Sequence, residues 1–359
     1  MKILLLAGEE SGLIYARRIK ELLAGDEVRG FGDYGFKTAD LAVMGFAAVV
    51  RRLKYFIGVK RTMERAIDEW RPDVLCTIDY PGMNLKLAAY AKERGVRTVH
   101  VVCPQVWAWK AGRIPKIEAS LDRLCCFFPF EPSLFKPGFA DFVGHPLAEQ
   151  FRSLGRTAHE GSGKLVALLP GSRIGEIERI LPTMLEALEL LPPVKAVVPA
   201  ANEKALEAVR ATLRHLGRRE GDGLTVRLGG ARELLLQADC AVVASGTATL
   251  EAALAGCPTA LVYKVDAFLA WFARRVIKGV KHIGLANIIW EKSGAEGPEP
   301  MPELLQEDFT AERVAGTIGP WLSDPAARKA ATDALAAVVK RLDTGDSPIA
   351  RIVAAIRNT

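Results

Sequence analysis

The stretch KLVALLPGSRIGEIERI, residues 164–180, decides the fold class of this chain. It opens with a short apolar run, 164–169, passes through a glycine turn, and continues as an amphipathic helical pattern over 174–191. A strand that is apolar on both faces and leads directly into a helix is typical of a parallel sheet covered by helices. The stretch therefore predicts one βα unit of a doubly wound α/β fold.

The same alternation of strand and helix patterns occurs on both sides of this stretch. The further strands are predicted at 3–7, 74–78, 98–102, 196–198, 224–228 and 240–244. The further helices are predicted at 12–23, 84–92 and 203–215. We therefore expect two Rossmann-like, doubly wound parallel-sheet halves.

The composition of one segment separates these halves. Residues 152–164 are rich in Gly and Ser and lack apolar periodicity, which predicts a linker between domains 1–151 and 165–322. Residues 323–359 are predicted to form C-terminal helices that start at Pro325 and Pro348 and pack back on the first domain or on a partner subunit.

Length and composition exclude several protein classes. The 359 residues are 50% hydrophobic and 25% charged, as in ordinary globular proteins, so a disordered or collagen-like chain is excluded. The six cysteines include no C-x-x-C pair, which favours reduced, buried thiols in a cytoplasmic protein without a structural metal. We expect neither a signal peptide at the N-terminus nor an apolar run long enough to span a bilayer.

Two glycine turns are candidate phosphate sites. Gly171, Ser172 and Arg173 follow a predicted strand and open a helix, where free backbone N–H groups and a guanidinium could bind an anion. The alternative is a plain βα turn with Ser172 as the helix N-cap. A second turn of this kind holds Ser245, Gly246 and Thr247, and two such turns at one sheet edge favour a diphosphate ligand.

Three further features of the sequence have both a functional and a structural interpretation. Glu251 could accept from ribose hydroxyls or merely favour its helix dipole. Asp79, at the end of a predicted strand, could be a general base or could cap the following turn. The segment with Trp107, Trp109, Lys110 and Arg113 could line a sugar-phosphate site, or its indoles could belong to the core. His145 is more typical of a structural hydrogen-bond donor than of a catalytic residue.

The net charge of +6 favours an anionic partner, and two segments suggest that it is a lipid surface. Around residues 46–61 apolar side chains recur at helical spacing among arginines and lysines, which is typical of a basic amphipathic helix. A weaker case begins near Trp271. No nucleic-acid motif accompanies the charge. The membrane-facing candidates are Val49, Leu53, Phe56, Ile57 and Trp271.

Ten blocks of sequence together resemble one known family. The chain is similar to lipid-A-disaccharide synthases, which are inverting glycosyltransferases of the GT-B type. The resemblance rests on Ala7-Gly8-Glu9 with Ser11-Gly12, Leu41-Ala42-Val43-Met44-Gly45, Ile78-Asp79, Val106-Trp107-Ala108-Trp109, Phe128-Pro129-Phe130-Glu131, Val143-Gly144-His145-Pro146, Leu169-Pro170-Gly171-Ser172-Arg173, the block from Ala244 to Glu251, Asn287, and Glu303-Leu304-Leu305-Gln306.

The resemblance implies a GT-B fold with two domains facing a cleft and a specific reaction. A 2,3-diacylglucosamine unit would pass from its UDP conjugate to the 6-hydroxyl of 2,3-diacylglucosamine 1-phosphate, releasing UDP and forming a β(1→6) disaccharide. Asp79 matches the family's important aspartate, while Arg173 and Asn287 match its arginine and asparagine. The resemblance also places Ser11, Gly12 and Met44 among acceptor candidates. The chain departs from the family pattern at Leu13, Gly82, Cys103 and Ala286.

The resemblance further implies the setting of the enzyme. It would work at the cytoplasmic face of the inner membrane of a bacterium that has an outer membrane, with acylated glucosamine lipids and UDP as partners and no cofactor or metal. The resemblance does not decide whether the enzyme forms a homodimer. Two alternatives remain at this point: a UDP-sugar 2-epimerase, which shares the architecture, and a non-catalytic nucleotide or lipid binder.

Overall fold

The structure is a computed structural model that describes residues 1–37, 41, 53–157, 163–221, 223–266, 275 and 279–359. The chain forms two compact units. The first comprises residues 1–146 together with 342–359, and the second comprises residues 147–341. Each unit is described separately below.

The first unit is built on a six-stranded parallel sheet with strand order β2-β1-β3-β4-β5-β6. Its strands are β1 (Lys2–Ala7), β2 (Glu27–Arg29), β3 (Val74–Ile78), β4 (Arg97–Val101), β5 (Arg123–Cys126) and β6 (Ala140–Phe142). Its helices are α1 (Glu10–Leu22), α2 (Leu53–Trp70), α3 (Pro81–Lys92) and α4 (Ile114–Ser120), with 3₁₀ turns at Phe31–Tyr34, Ala111–Arg113 and Pro132–Leu134.

The second unit repeats this plan, with strand order β12-β11-β10-β7-β8-β9, again parallel. Its strands are β7 (Leu165–Leu169), β8 (Lys195–Ala200), β9 (Leu224–Leu228), β10 (Cys240–Ala244), β11 (Thr259–Tyr263) and β12 (Glu303–Leu305). Its helices are α5 (Pro146–Arg152), α6 (Ile174–Glu189), α7 (Glu203–His215), α8 (Ala231–Gln237), α9 (Thr247–Leu254), α10 (Leu285–Lys292), α11 (Ala311–Ser323) and α12 (Pro325–Leu342), with a 3₁₀ turn at Gln306–Asp308.

The predicted pair of doubly wound parallel sheets is confirmed. The strands at 74–78, 224–228 and 240–244 and the helix at 203–215 have the predicted bounds. The three-residue strands β2, β6 and β12 were not predicted because three residues are too few to display a periodicity. The helix predicted at 84–92 starts earlier, at Pro81, because proline suits the first turn of a helix.

The boundary between the units lies at residue 146, ahead of the linker predicted at 152–164. Helix α5 packs on the second unit, where Arg232 Nη2 donates to Gln150 Oε1 at 3.1 Å and the Arg232 guanidinium lies 5.1 Å from the Phe151 ring centroid. Arg156, inside the predicted linker, donates to the carbonyls of Leu235, Ala238 and Ala255. Glycine and serine content therefore did not mark the position where the packing changes.

The C-terminal helices begin at Pro325 and Pro348, as predicted. Helix α12 belongs to the second unit, whereas the last helix, α13 (Pro348–Asn358), belongs to the first. The apolar face of α13, with Ile349, Ile352 and Ile356, is part of the same core cluster as β1 and the middle of β4. The chain thus returns to the first unit to cover one face of its sheet.

The core also accounts for the cysteines. All six are free thiols and all are buried. Burial raises the pKa of Cys125 to about 12 and that of Cys257 to about 11, so these thiols are neutral near pH 7. Cys76, Cys125, Cys126 and Cys240 lie in strands of the two sheets, where they act as small apolar side chains.

Candidate active site

Asp79 lies immediately after β3 in an unusual backbone conformation. Asp79 and Tyr80 both have a φ of 51°, in the left-handed region that residues other than glycine seldom adopt. The Asp79 N–H donates to the Val101 carbonyl at 2.9 Å, and the Tyr80 N–H donates to Asp79 Oδ1 at 2.8 Å. Two successive residues in this region cost roughly 1–2 kcal/mol each. Such strain is typical of a functional site whose surroundings enforce it.

The side chain of Asn84, on α3, holds this turn through hydrogen bonds to its backbone. Its Nδ2 donates to the Asp79 carbonyl at 2.7 Å and to the Ile78 carbonyl at 3.2 Å, and the residue is fully buried. These two bonds tie the end of β3 to the first turn of the following helix. Asn84 therefore holds the backbone that orients Asp79, a role that its sequence motif did not reveal.

Gly8, after β1, gives Tyr80 the space it occupies. A Cβ atom on Gly8 would lie 2.5 Å from the Tyr80 Cβ atom, closer than real contacts allow. Because β1 and β3 are neighbours in the sheet, with Ala7 in register with Ile78, the residues that follow both strands meet here. This explains the glycine in the Ala7-Gly8-Glu9 block.

The second carboxylate of the site is Glu9, whose part the sequence did not show. Burial raises the pKa of Glu9, and the charge of Asp79 raises it further. Burial also raises the pKa of Asp79, although the bond from the Tyr80 N–H opposes this shift. Asp79 is thus a half-buried carboxylate with a raised pKa that lies within electrostatic reach of Glu9, and such a group is a suitable general base. The signal for Glu9, an acid just beyond a predicted strand, became meaningful only with the strand order.

The two tryptophans of this segment lie in different environments. Trp107 is buried, and its Nε1 donates to Glu131 Oε1 at 3.0 Å. The Phe128 N–H donates to the other Glu131 oxygen at 3.0 Å, and burial raises the pKa of Glu131 to about 8. Trp107 is thus a core residue, and its proposed contact with an acceptor is replaced by this internal bond. Glu131 stood in one of the blocks of the resemblance, but the sequence did not assign it a role of its own.

Trp109 and Lys110 are open to solvent. Trp109 is 39% exposed, and Lys110 Nζ lies 4.2 Å from its ring centroid. Arg113 ends the following 3₁₀ turn and is half-buried. These three residues stay candidates for ligand contact.

His145 lies among aromatic side chains in the core of the first unit. It is buried, with its ring 5.4 Å from that of Phe127 and 5.7 Å from that of Phe128. Burial lowers its pKa to about 4, so its ring is neutral near pH 7. Among the other acceptor candidates, Gly12 is buried near the start of α1, whereas Met44 and the Ser11 side chain lie outside the described residues.

The first glycine turn of the second unit differs from its plain alternative. The N-cap of α6 is Arg173, not Ser172, and no side chain caps it. Ser172 is exposed. Gly171 has a φ of 110°, and a Cβ atom at this position would lie only 2.6 Å from Glu176 Oε2, so glycine fits here best. Arg173 Nη1 pairs with Glu176 Oε1 at 2.7 Å, with the arginine side chain 62% exposed. The helix start thus offers free backbone N–H groups and an accessible guanidinium to an anion.

The second turn has the same design. Gly246, with a φ of 155°, is the N-cap of α9 without a side-chain cap, and both Gly246 and Thr247 are exposed. Ser245 is half-buried at the end of β10. Since β10 pairs with β7, the two turns follow neighbouring strands, about 4.8 Å apart. Two adjacent helix starts of this kind suit the two phosphates of a diphosphate.

Glu251, on α9, has a raised pKa because it is largely buried, although the charge of Arg232 opposes this shift. Glu251 is therefore not an exposed glutamate that merely favours the helix dipole. A half-buried carboxyl next to the turn can accept hydrogen bonds from hydroxyl groups of a ligand.

The amide of Asn287, in contrast, is used inside the second unit. It is fully buried; its Nδ2 donates to the Met301 carbonyl at 2.7 Å and to Glu303 Oε1 at 2.9 Å, and its Oδ1 accepts from the Met301 N–H at 3.0 Å. Glu303 also accepts from the N–H groups of Ile283 and Gly284, each at 3.0 Å to one of its oxygens. Asn287 thus ties the start of α10 to Met301 and Glu303, and its contact with UDP stays a prediction.

One buried cluster has ligand types that metals accept. Within the described part of the chain, Cys103 and Cys126 thiols and the Glu131 carboxylate lie within 4.8 Å of one another. The carboxylate already accepts bonds from Trp107 and Phe128, and burial raises its pKa. A hydrogen bond with Cys103, together with burial, raises the pKa of Cys126. These groups form a neutral hydrogen-bonded network in the core.

The membrane-facing candidates fall partly outside the described residues. Val49, Trp271 and the Leu53 side chain lie there. Phe56 is half-buried against the core, with its ring 5.7 Å from that of Tyr55, whereas Ile57 is 43% exposed. Among the described helices, none has the length and apolar character needed to cross a bilayer.

Solved structures of low sequence identity share this fold. The chain matches MurG of Acinetobacter baumannii over 100% of both chains, with a TM-score of 0.58 and 13% identity. It matches a UDP-GlcNAc 2-epimerase from Neisseria meningitidis, bound to UDP-GlcNAc, over 100% of this chain and 99% of that one, with a TM-score of 0.56 and 12% identity. These likenesses support the GT-B architecture.

The sequence relatives are more specific. A lipid-A-disaccharide synthase from Anaeromyxobacter sp. (strain K) is 37% identical over 379 residues, covering 97% of this chain and 95% of the relative. One from Syntrophus aciditrophicus (strain SB) is 34% identical over 359 residues, covering 93% and 91%. The family described as lipid-A-disaccharide synthetase matches residues 3–353. The chain therefore belongs to the lipid-A-disaccharide synthase family of glycosyltransferases.

Proposed function

We propose that this enzyme transfers 2,3-diacylglucosamine from its UDP conjugate to the 6-hydroxyl of 2,3-diacylglucosamine 1-phosphate, with inversion at the anomeric carbon. The observation that carries this proposal is Asp79, placed by Asn84 in a strained turn with its pKa raised by burial. A hydroxyl acceptor needs such a base, whereas simple nucleotide binding does not.

In the proposed mechanism Asp79 takes the proton from the 6-hydroxyl as the oxygen attacks the anomeric carbon. The bond from that carbon to the diphosphate breaks, and its electron pair leaves with UDP. Attack from the side opposite the diphosphate converts an α-linked donor into a β-linked product. Backbone N–H groups at Gly171–Arg173 and Ser245–Thr247, with the Arg173 guanidinium, stabilise the negative charge of the leaving group.

The direct test is incubation of the purified protein with both substrates. We expect a disaccharide 1-phosphate in the mass spectrum, one UDP for each product molecule, and a β linkage by NMR coupling constants. A donor that loses UDP without any acylated acceptor would instead favour the UDP-sugar 2-epimerase alternative. Binding of both substrates without turnover would favour the non-catalytic alternative.

The pH dependence should report the raised pKa of Asp79. A general base works only when deprotonated, so kcat/KM should fall as the pH drops through this pKa. Because burial raises the pKa, the midpoint of the acid limb should lie above 3.8, the ordinary aspartate value. Circular dichroism at each pH checks that the protein stays folded. A midpoint at or below 3.8 would contradict the assignment.

Asn84→Ala should lower kcat by about 10- to 100-fold without raising the KM for the donor. The change removes both bonds that hold the Asp79 backbone, each worth about 1 kcal/mol or more when buried. Lys86→Ala, at an exposed position of the same helix, is the matched control and should leave kcat unchanged. An acid limb that keeps its wild-type position and height in Asn84→Ala would show that Asn84 does not orient the base.

We also propose that the enzyme works as a peripheral protein on an anionic membrane surface, at the inner face of the inner membrane. It should float with vesicles that contain anionic phospholipid, and less so as salt rises, because screening weakens surface attraction. Ile57→Glu should reduce flotation, whereas Leu228→Glu, at an exposed apolar position of the second unit, should not. Equal flotation of both variants would contradict a membrane contact at Ile57.

A further inference from the structure

An open groove of about 180 Å³ lies between α1 and the turn that follows β2 in the first unit. Its walls are apolar side chains of β1, α1, β2 and the following turn, among them Leu5, Leu13, Val28 and Phe31. Its charged lining residues are Arg17, Lys20, Arg29 and one acid, Asp33. Apolar walls beside a surplus of cations suit a ligand that is partly apolar and carries negative charge.

The charged groups of the groove are not equally available. Arg29 Nη2 pairs with Glu27 Oε1 at 2.8 Å, and its guanidinium lies 4.4 Å from the Trp70 ring centroid. Asp33 Oδ2 accepts from the Gly30 N–H at 2.7 Å. These two charges thus have partners that build the wall of the groove.

Arg17 and Lys20 are different. Both are exposed, and neither forms an ion pair or a side-chain hydrogen bond within the described ranges of the chain. They stand three residues apart on α1, so their side chains share one face and repel each other. A doubly charged anion between them would replace this repulsion with two charge-assisted hydrogen bonds. A phosphate monoester is an anion of this kind.

The groove begins beside the carboxylates of the candidate active site. Ala7, which lines it, is in register with Ile78, the residue before Asp79. Neighbouring strands lie about 4.8 Å apart, and Arg17 is about 10 Å along the helix from its first residue, Glu10. In a hexopyranose, C1 and C5 flank the ring oxygen, and C5 carries C6, so the 6-hydroxyl and the 1-phosphate stand only a few bonds apart. A sugar whose 6-hydroxyl meets Asp79 therefore carries a 1-phosphate that a long side chain from α1 can reach.

We propose that this groove holds the phosphate end of the glycosyl phosphate acceptor, with Arg17 and Lys20 on the phosphate and the apolar walls against the acylated sugar. The inference rests on the proposed function, because it says where the acceptor of that reaction is bound. It assigns the choice of a phosphorylated acceptor to two residues outside the resemblance motifs.

The test compares two acceptors in the wild type and in the double variant Arg17→Gln/Lys20→Gln. One acceptor is 2,3-diacylglucosamine 1-phosphate, and the other is the same compound without the phosphate. For the phosphorylated acceptor, the KM of the double variant should rise about 30-fold or more, since hydrogen bonds to charged groups are worth about 1.5–3 kcal/mol each. For the other acceptor, and for the donor, the KM should match that of the wild type.

The matched control removes two exposed charges elsewhere in the first unit, as Arg65→Gln/Lys86→Gln, and should leave both acceptor KM values unchanged. An unchanged KM for the phosphorylated acceptor, or an equal rise for both acceptors, would overturn the inference. The first result would mean that the groove does not bind phosphate, and the second that the substitutions act through the structure of the site.

A second measurement separates this inference from the proposed function. If the wild type makes no disaccharide, the proposed function fails, and glucosamine 1-phosphate is then titrated into the wild type and the double variant by calorimetry. Binding to the wild type that is lost in the double variant would still support the groove. Equal binding, or none to either protein, would overturn it.

Discussion

Asp79→Asn should lower kcat by about two or more orders of magnitude while the enzyme still binds UDP. Asparagine has the same shape as aspartate, and its Oδ1 can still accept the Tyr80 N–H, so the strained turn should persist. Its amide cannot take a proton from the acceptor, and general-base catalysis typically contributes 10²- to 10⁴-fold. The measurement is steady-state kcat with both substrates, together with UDP titration by calorimetry.

The matched control for this change is Asp68→Asn. Asp68 is an exposed aspartate of the first unit that pairs with Arg94 at 2.6 Å, and an exposed pair of this kind contributes little. Its loss should leave kcat unchanged. An Asp79→Asn enzyme that turns over at the wild-type rate would remove Asp79 from the mechanism, whereas a loss of UDP binding as well would indicate that the substitution disturbs the fold.

Arg173→Ala should weaken UDP binding by about 10- to 100-fold and raise the KM for the donor to a similar extent. A guanidinium that hydrogen-bonds a phosphate contributes about 1.5–3 kcal/mol. The ion pair that Arg173 forms with Glu176 is mostly exposed on the arginine side and contributes little to stability, so the variant should fold normally. UDP titration by calorimetry and a thermal melt measure both expectations.

Two further variants test the cause of this effect. Arg179→Ala removes an exposed arginine from the same helix and should leave UDP binding unchanged. Glu176→Gln breaks the ion pair but keeps Arg173, so UDP binding should persist. If Glu176→Gln weakens UDP binding as much as Arg173→Ala does, then the ion pair shapes the turn and Arg173 does not bind the diphosphate itself.

Much of the fold could be predicted because it depends on neighbours in sequence. The burial of β3 and β10 on both faces, the periodicity of α7, and the prolines that open α12 and α13 are all local signals. The two glycine turns belong to the same class, because a strand that ends in glycine and leads into a helix already defines a helix start. Even so, the sequence favoured Ser172 as the helix N-cap, and only the backbone conformation of the turn showed that Arg173 occupies this position.

The site depended more on contacts between distant parts of the chain. Asn287 resembled a ligand contact in sequence, but β12 places Glu303 next to it and the whole amide is used internally. Trp107 likewise pairs with Glu131, 24 residues later. A polar residue that the sequence marks can thus serve the site or merely support it, and burial decides between these roles.

Sequence alone determined the alternation of strands and helices, the two parallel sheets, the turns that suit a diphosphate, and the aspartate after β3, because hydrophobic periodicity and turn chemistry are written within a few residues. Only the tertiary structure decided that Glu9 lies within electrostatic reach of Asp79, that Asn84 holds the strained turn, and that Arg17 and Lys20 border an open groove. The physical reason is the strand order: β1 lies between β2 and β3, and no local pattern encodes which strands become neighbours.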